Sequence, residues 1–202
     1  MSTEKTTLTH EESLRLITQM IETSKNRLAD DGFHFILWGI ILVACCIAQS
    51  AMIAAGMHNE SNFVWLVLPT LGGILSFFYG KKQGKSEQTR SLISSIYPLM
   101  WLGFGISLVL SVFIPVYFFQ QSPTAIIMIT TGFACFVAGV FLQFNPLKFG
   151  AAAFWIGALL YHLMPGPQTQ LLLFALAIVC GYLVPGFILR NRYKSQVDVR
   201  TA

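Results

Sequence analysis

Six apolar stretches, at residues 33–56, 63–80, 96–119, 124–144, 147–163 and 170–189, run through this chain with no Asp, Glu or Arg inside them. Their one lysine, Lys148, stands at the edge of the fifth, beside the turn that precedes it. Wound as a helix, about 20 such residues match the roughly 30 Å of a bilayer's hydrocarbon layer. The chain is 54% hydrophobic and only 11% charged, whereas soluble domains are about one quarter charged. The expected fold is therefore all-α: a polytopic membrane bundle of six transmembrane helices over residues 33–189. A segment of 32 residues precedes it and a tail, 190–202, follows it. No length is left for a second domain.

The charges then orient the spans. All 13 Lys and Arg residues fall in alternate gaps. Lys5, Arg15, Lys25 and Arg27 precede the first span. Lys81, Lys82, Lys85 and Arg90 lie between the second and third. Lys148 marks the fourth–fifth turn, and Arg190, Arg192, Lys194 and Arg200 follow the sixth. Positive residues mark the cytoplasmic side, so both termini are expected there. The polar start is too long for a signal peptide, and no lipidation signal is present. The net charge of +4 fits attraction to anionic lipid. No basic-aromatic cluster supports nucleic-acid binding.

The N-terminal segment carries its own helix, expected over about residues 10–28. Thr9-His10-Glu11-Glu12 has the form of a capping box, in which hydroxyl and carboxylate satisfy free amides. Leu14, Ile17, Ile21 and Leu28 then draw one narrow apolar stripe. Glu11 and Glu12 near its start, and Lys25 and Arg27 near its end, suit the helix dipole. The stripe can dock on its own bundle or the bilayer, or pair with a second copy or another protein, cytosolic or membrane-bound. A further short amphipathic helix is expected over residues 85–95, with Leu92, Ile93 and Ile96 touching lipid.

Within the spans, small residues recur at four-residue steps. Gly72, Ser76 and Gly80 form one ridge, and Gly103, Ser107 and Ser111 another. Lipid offers no hydrophobic force between helices, so close backbone approach must hold them together. Both ridges are expected to pack helix on helix. Trp38, Trp101 and Trp155 open the odd spans, each followed by a nearby glycine, which suggests three repeated hairpins. Pro185 beside Gly186 is the expected kink of the last span. Asn145-Pro146 reads as a helix start, with Asn as cap and Pro at the first position.

Chemistry is sparse. Cys45, Cys46, Cys135 and Cys180 all lie within spans without C-x-x-C spacing and read as small apolar residues. His34 and His162 stand at span ends. No metal-ligand spacing, P-loop or dinucleotide fingerprint occurs, and nothing nearby would activate a serine. An enzyme, a cofactor and a metal are not expected. Ion-coupled transport normally needs an ionisable residue within the membrane, and the spans offer none.

The stretch Glu12-Ser13-Leu14-Arg15-Leu16-Ile17 with Met20-Ile21 leads into Phe35-Ile36-Leu37-Trp38-Gly39, and the chain closes with Gly181-Tyr182-Leu183-Val184-Pro185-Gly186. With these segments the chain resembles a group of small multispan inner-membrane proteins of Bacteroidota-type bacteria that have no established activity. The resemblance implies a bacterial inner membrane and transfers no functional residue. The expected role is non-enzymatic: sensing, scaffolding or regulation through the cytoplasmic face. The alternative is a passive pore, facilitator or lipid-handling protein, with Gln49, Ser76, Ser107, Thr131 or Gln143 lining a path.

Overall fold

The computed structural model describes residues 32–58, 60–83 and 92–201. Over these the chain is helical, and no strand occurs among them. The helices are α1 Phe33–Ala54, α2 Val64–Gln83, α3 Leu92–Phe118, α4 Thr124–Phe141, α5 Asn145–Tyr161, α6 Gly166–Ile178 and α7 Val184–Thr201. A 3-10 turn, Glu60–Phe63, leads into α2. A five-residue π-turn, Val179–Leu183, joins α6 to α7 as one rod. The expected N-terminal helix, with Leu14, Ile17, Ile21 and Leu28, lies outside the described residues.

Five helical stretches are long and apolar enough to cross a membrane: Phe33–Ala54, Glu60–Tyr79, Ile96–Phe118, Thr124–Phe141 and Gly166–Arg192. That is the build of a multi-pass membrane protein. The remaining helix, α5, has 17 residues, roughly 25 Å at 1.5 Å per residue.

The helix ends have local causes. Gly32 takes a left-handed φ of 65° just before α1. Gly56, at φ 84°, lets the Met57 amide reach back to the Met52 carbonyl at 2.9 Å, which closes α1 with a left-handed cap. The end of α4 uses the same device without glycine. Gln143 adopts φ 50°, and the Phe144 amide bonds to the Gly139 carbonyl at 2.9 Å.

That cap corrects the expected start of α5. The cap position is occupied by Phe144, which makes no side-chain capping bond. Asn145 is already inside the helix, and its Oδ1 accepts a hydrogen bond from Lys148 Nζ at 3.2 Å. The closing turn of α4 consumes Gln143 and Phe144, so the helix restarts one residue early. A second correction concerns residues 85–95. From Leu92 onward the chain is already the first turn of α3 rather than part of a separate surface helix.

Packing follows the order α2, α1, the α6–α7 rod, α5, α4, α3. The α4–α5 hairpin is the closest pair. A Cβ at Gly157 would fall 2.3 Å from Met128 Cε, and one at Gly132 would fall 2.6 Å from Trp155 Nε1. The core is built from α1, α4, α5 and the rod; Met128, Leu147, Phe154 and Ile178 are fully buried there. By contrast α2 rests mainly on α1 and its own leading turn, and α3 mainly on α4. Only 6% of the apolar stretch of α3 is buried, against 44% of that of α4.

The three tryptophans do not meet the same partners. Trp38 lies against Gly72 of its own hairpin, and Trp155 against Gly132 of the neighbouring one. Trp101 instead meets Phe35 and Tyr97.

Gly150→Val should test the junction between α5 and the rod. Its Cβ would lie 2.8 Å from Gly181 Cα and 3.0 Å from Gly181 O, backbone atoms that cannot swing aside. We expect a loss of about 2 kcal/mol in reversible unfolding in mixed micelles, while Gly73→Ala, which faces open space, should change little.

Candidate functional site

Polar side chains inside apolar helices cannot be left unpaired without cost. Most of those described here are tied to a neighbour. At one end of the bundle, Trp65 Nε1 donates to Gln49 Oε1 at 2.7 Å. The Gln49 amide in turn donates to Asn62 Oδ1 at 3.0 Å. Together they staple α1, the 3-10 turn and α2. Trp65 also stacks on Phe174 of α6, with centroids 5.9 Å apart. Ser122 and Tyr161 share a hydrogen bond of 2.9 Å, which ties the α3–α4 turn to the end of α5.

The expected packing ridges divide. On α2, Gly72 is buried against Ile41 and Trp38 of α1. Ser76 Oγ is buried on the same stripe and has no hydrogen-bond partner. Gly80 continues that helix. On α3, Ser111 is buried and pairs with Thr130 of α4 at 3.2 Å. Gly103 and Ser107 are exposed among the described residues. A Cβ at Gly103 would meet nothing within 4 Å, and Ser107 Oγ donates back to the Gly103 carbonyl at 2.9 Å. Four-residue spacing reports a stripe but not its neighbour, and among the described residues this ridge does not form one seam.

The five residues expected to line a path are not brought together. Gln49 belongs to the α1–α2 staple. Ser76 faces α1, Ser107 faces outward, Thr131 is buried in α4, and Gln143 sits in the α4–α5 turn.

The opposite end gathers the described cations. Contacts of Phe33 with Tyr79, Phe35 with Trp101 and Gly32 with Gly186 bring α1, α2, α3 and α7 together there. Arg192 lies over the Phe144 ring, 5.4 Å from its centroid, and Lys81 lies 5.9 Å from that of Phe77. Glu60, by contrast, is at the far end, in the turn between α1 and α2.

Two features escaped the sequence reading. Trp65 is the donor that organises the staple; an indole N–H near a span needs an acceptor, and Gln49 was the nearby candidate. The second is the π-turn. It places Tyr182 between Phe35 and Phe154, with ring centroids 5.9 and 5.6 Å away. Cys45, Cys46 and Cys135 are buried free thiols and Cys180 is an exposed one. No group of three metal-binding side chains occurs among the described residues.

No family model, no curated protein and no solved structure matches this chain.

Gln49→Ala should remove the acceptor of Trp65 and the donor to Asn62. A loss of about 1 kcal/mol is expected, and Ser111→Ala should cost less, about 0.6 kcal/mol. Denaturant titration of the purified chain in micelles checks both the magnitudes and their order.

Proposed function

We propose that the protein is a non-enzymatic integral membrane protein with six spans and both ends in the cytoplasm. It senses, scaffolds or regulates through its cytoplasmic face. The single observation that carries this reading is the polarity of the bundle. Among the described residues, Lys81, Lys148, Arg190 and Arg192 gather at one end, and short turns with Glu60 lie at the other. Positive residues favour the cytoplasmic side. In this reading α5 spans as well, at the short end of the usual range, and the three hairpins descend from one repeated unit. The bacterial inner membrane comes from the resemblance of residues 12–21, 35–39 and 181–186.

The scatter of Gln49, Ser76, Ser107, Thr131 and Gln143 supports this role over a pore or facilitator, which needs polar groups along one path. A lipid-handling role draws on one observation, the broad apolar faces of α2 and α3. The bilayer is the partner there, and a protein or a second copy is the partner at the N-terminal stripe.

Crosslinking in membranes followed by co-purification tests the role. Leu14→Glu and Ile21→Glu each place a charge in the stripe and should abolish recovery of the partner or the second copy. Unchanged assembly and recovery in both variants would sink the proposal.

A further inference from the structure

The joint between α6 and α7 combines the tightest packing of the rod with its one departure from α-helical geometry. Pro185 offers no N–H to the carbonyl of Gly181, four residues before it. The backbone widens across Val179–Leu183, and the Val184 amide bonds to the Val179 carbonyl, five residues back. Gly150 of α5 makes room for the widened turn. A Cβ there would come within 3.2 Å of the Cys180 carbonyl oxygen and 3.0 Å of that of Gly181. Its Cα–H is a weak donor for those carbonyls.

A π-turn accommodates one residue more than an α-turn. Relaxing it therefore rotates everything beyond it by about 100°. In the observed register Leu189 is buried, while Ile188 and Arg190 are exposed. In the relaxed register Ile188 takes the buried place and Leu189 turns outward. Both positions are apolar, so either register buries a branched aliphatic side chain.

We propose that the Val179–Leu183 π-turn is a register switch that turns the charged end of α7 in response to packing within the membrane. The route into it is a run of ring contacts. Trp101 of α3 meets Phe35 of α1 at 6.1 Å, Phe35 meets Tyr182 at 5.9 Å, and Tyr182 meets Phe154 of α5 at 5.6 Å. The first of these rings sits on the helix with the least buried stretch, the one most open to changes in bilayer thickness. The outlet is Arg190 and Arg192. The physiological sense of this device rests on the reading of that end as the cytoplasmic working face.

The test uses the full chain in lipid nanodiscs on a Cys180→Ser background, with single cysteines introduced at positions 187 to 192 and spin-labelled. Accessibility to a relaxing agent should be lowest at position 189 when Pro185 is present. Pro185→Ala restores the missing donor and should move the minimum to position 188. A minimum that stays at 189 overturns the proposal. If Pro185→Ala does not fold, the parent proline chain decides. Spin labels at Lys148→Cys and Arg190→Cys should give two distance populations whose ratio changes between bilayers of short and long acyl chains. A single population that does not respond overturns the switch. Both readouts report backbone register without any partner, so they stand apart from the Leu14→Glu test.

Discussion

The structure depends on close approach between backbones at glycine. In lipid, apolar side chains gain nothing by leaving the solvent, so helices associate through dispersion contacts and the few polar bonds they share. Gly181 is the centre of this arrangement. A Cβ there would overlap the Phe154 ring, at 2.1 Å from Cε2. Gly150 admits the rod from the other side. Gly39 and Gly186 seat α1, against Leu183 and against Phe35 and Ile36 respectively. The widened turn at Val179–Leu183 lies at the meeting point of three helices, and the glycines around it are what let them meet.

From that centre the bundle divides into a packed core and two flanks. The core helices spend their small residues on one another, and their polar groups are few. The flanking helices, α2 and α3, each hold to one main neighbour and expose long apolar faces, with residues such as Leu66, Phe77, Leu102 and Val109 open. Bilayer acyl chains suit those faces. The described residues thus present apolar faces along the sides of the bundle and charge at one end.

Much of the fold was legible in the sequence because the bilayer imposes a coarse rule. Charge-free stretches of span length became helices, and Gly56 and Pro165 stand at helix ends where backbone chemistry demands a break. Finer features depended on partners that lie far apart in the chain. Gln143 in a left-handed cap displaced Asn145 from its expected role, since a side chain with no special preference can be forced there by a bond from Phe144 to Gly139. Gly103 and Ser107 have the spacing of a packing ridge, yet their neighbour is set by where α4 lies, which no local pattern records. Pro185 announced a disturbance, but its resolution as a π-turn required the empty space at Gly150. The candidate interaction stripe, Leu14 to Leu28, lies outside the described residues, and its role is carried by its periodicity alone.

In the proposed orientation the bundle's two ends face opposite sides of the membrane, with the cationic end inside. Labelling with a membrane-impermeant thiol reagent tests this most directly, in sealed vesicles of known orientation on a Cys180→Ser background. Glu60→Cys should react only from the periplasmic side, and Arg192→Cys only from the cytoplasmic side. Reaction of both from the same side, or the reverse pattern, would contradict the account.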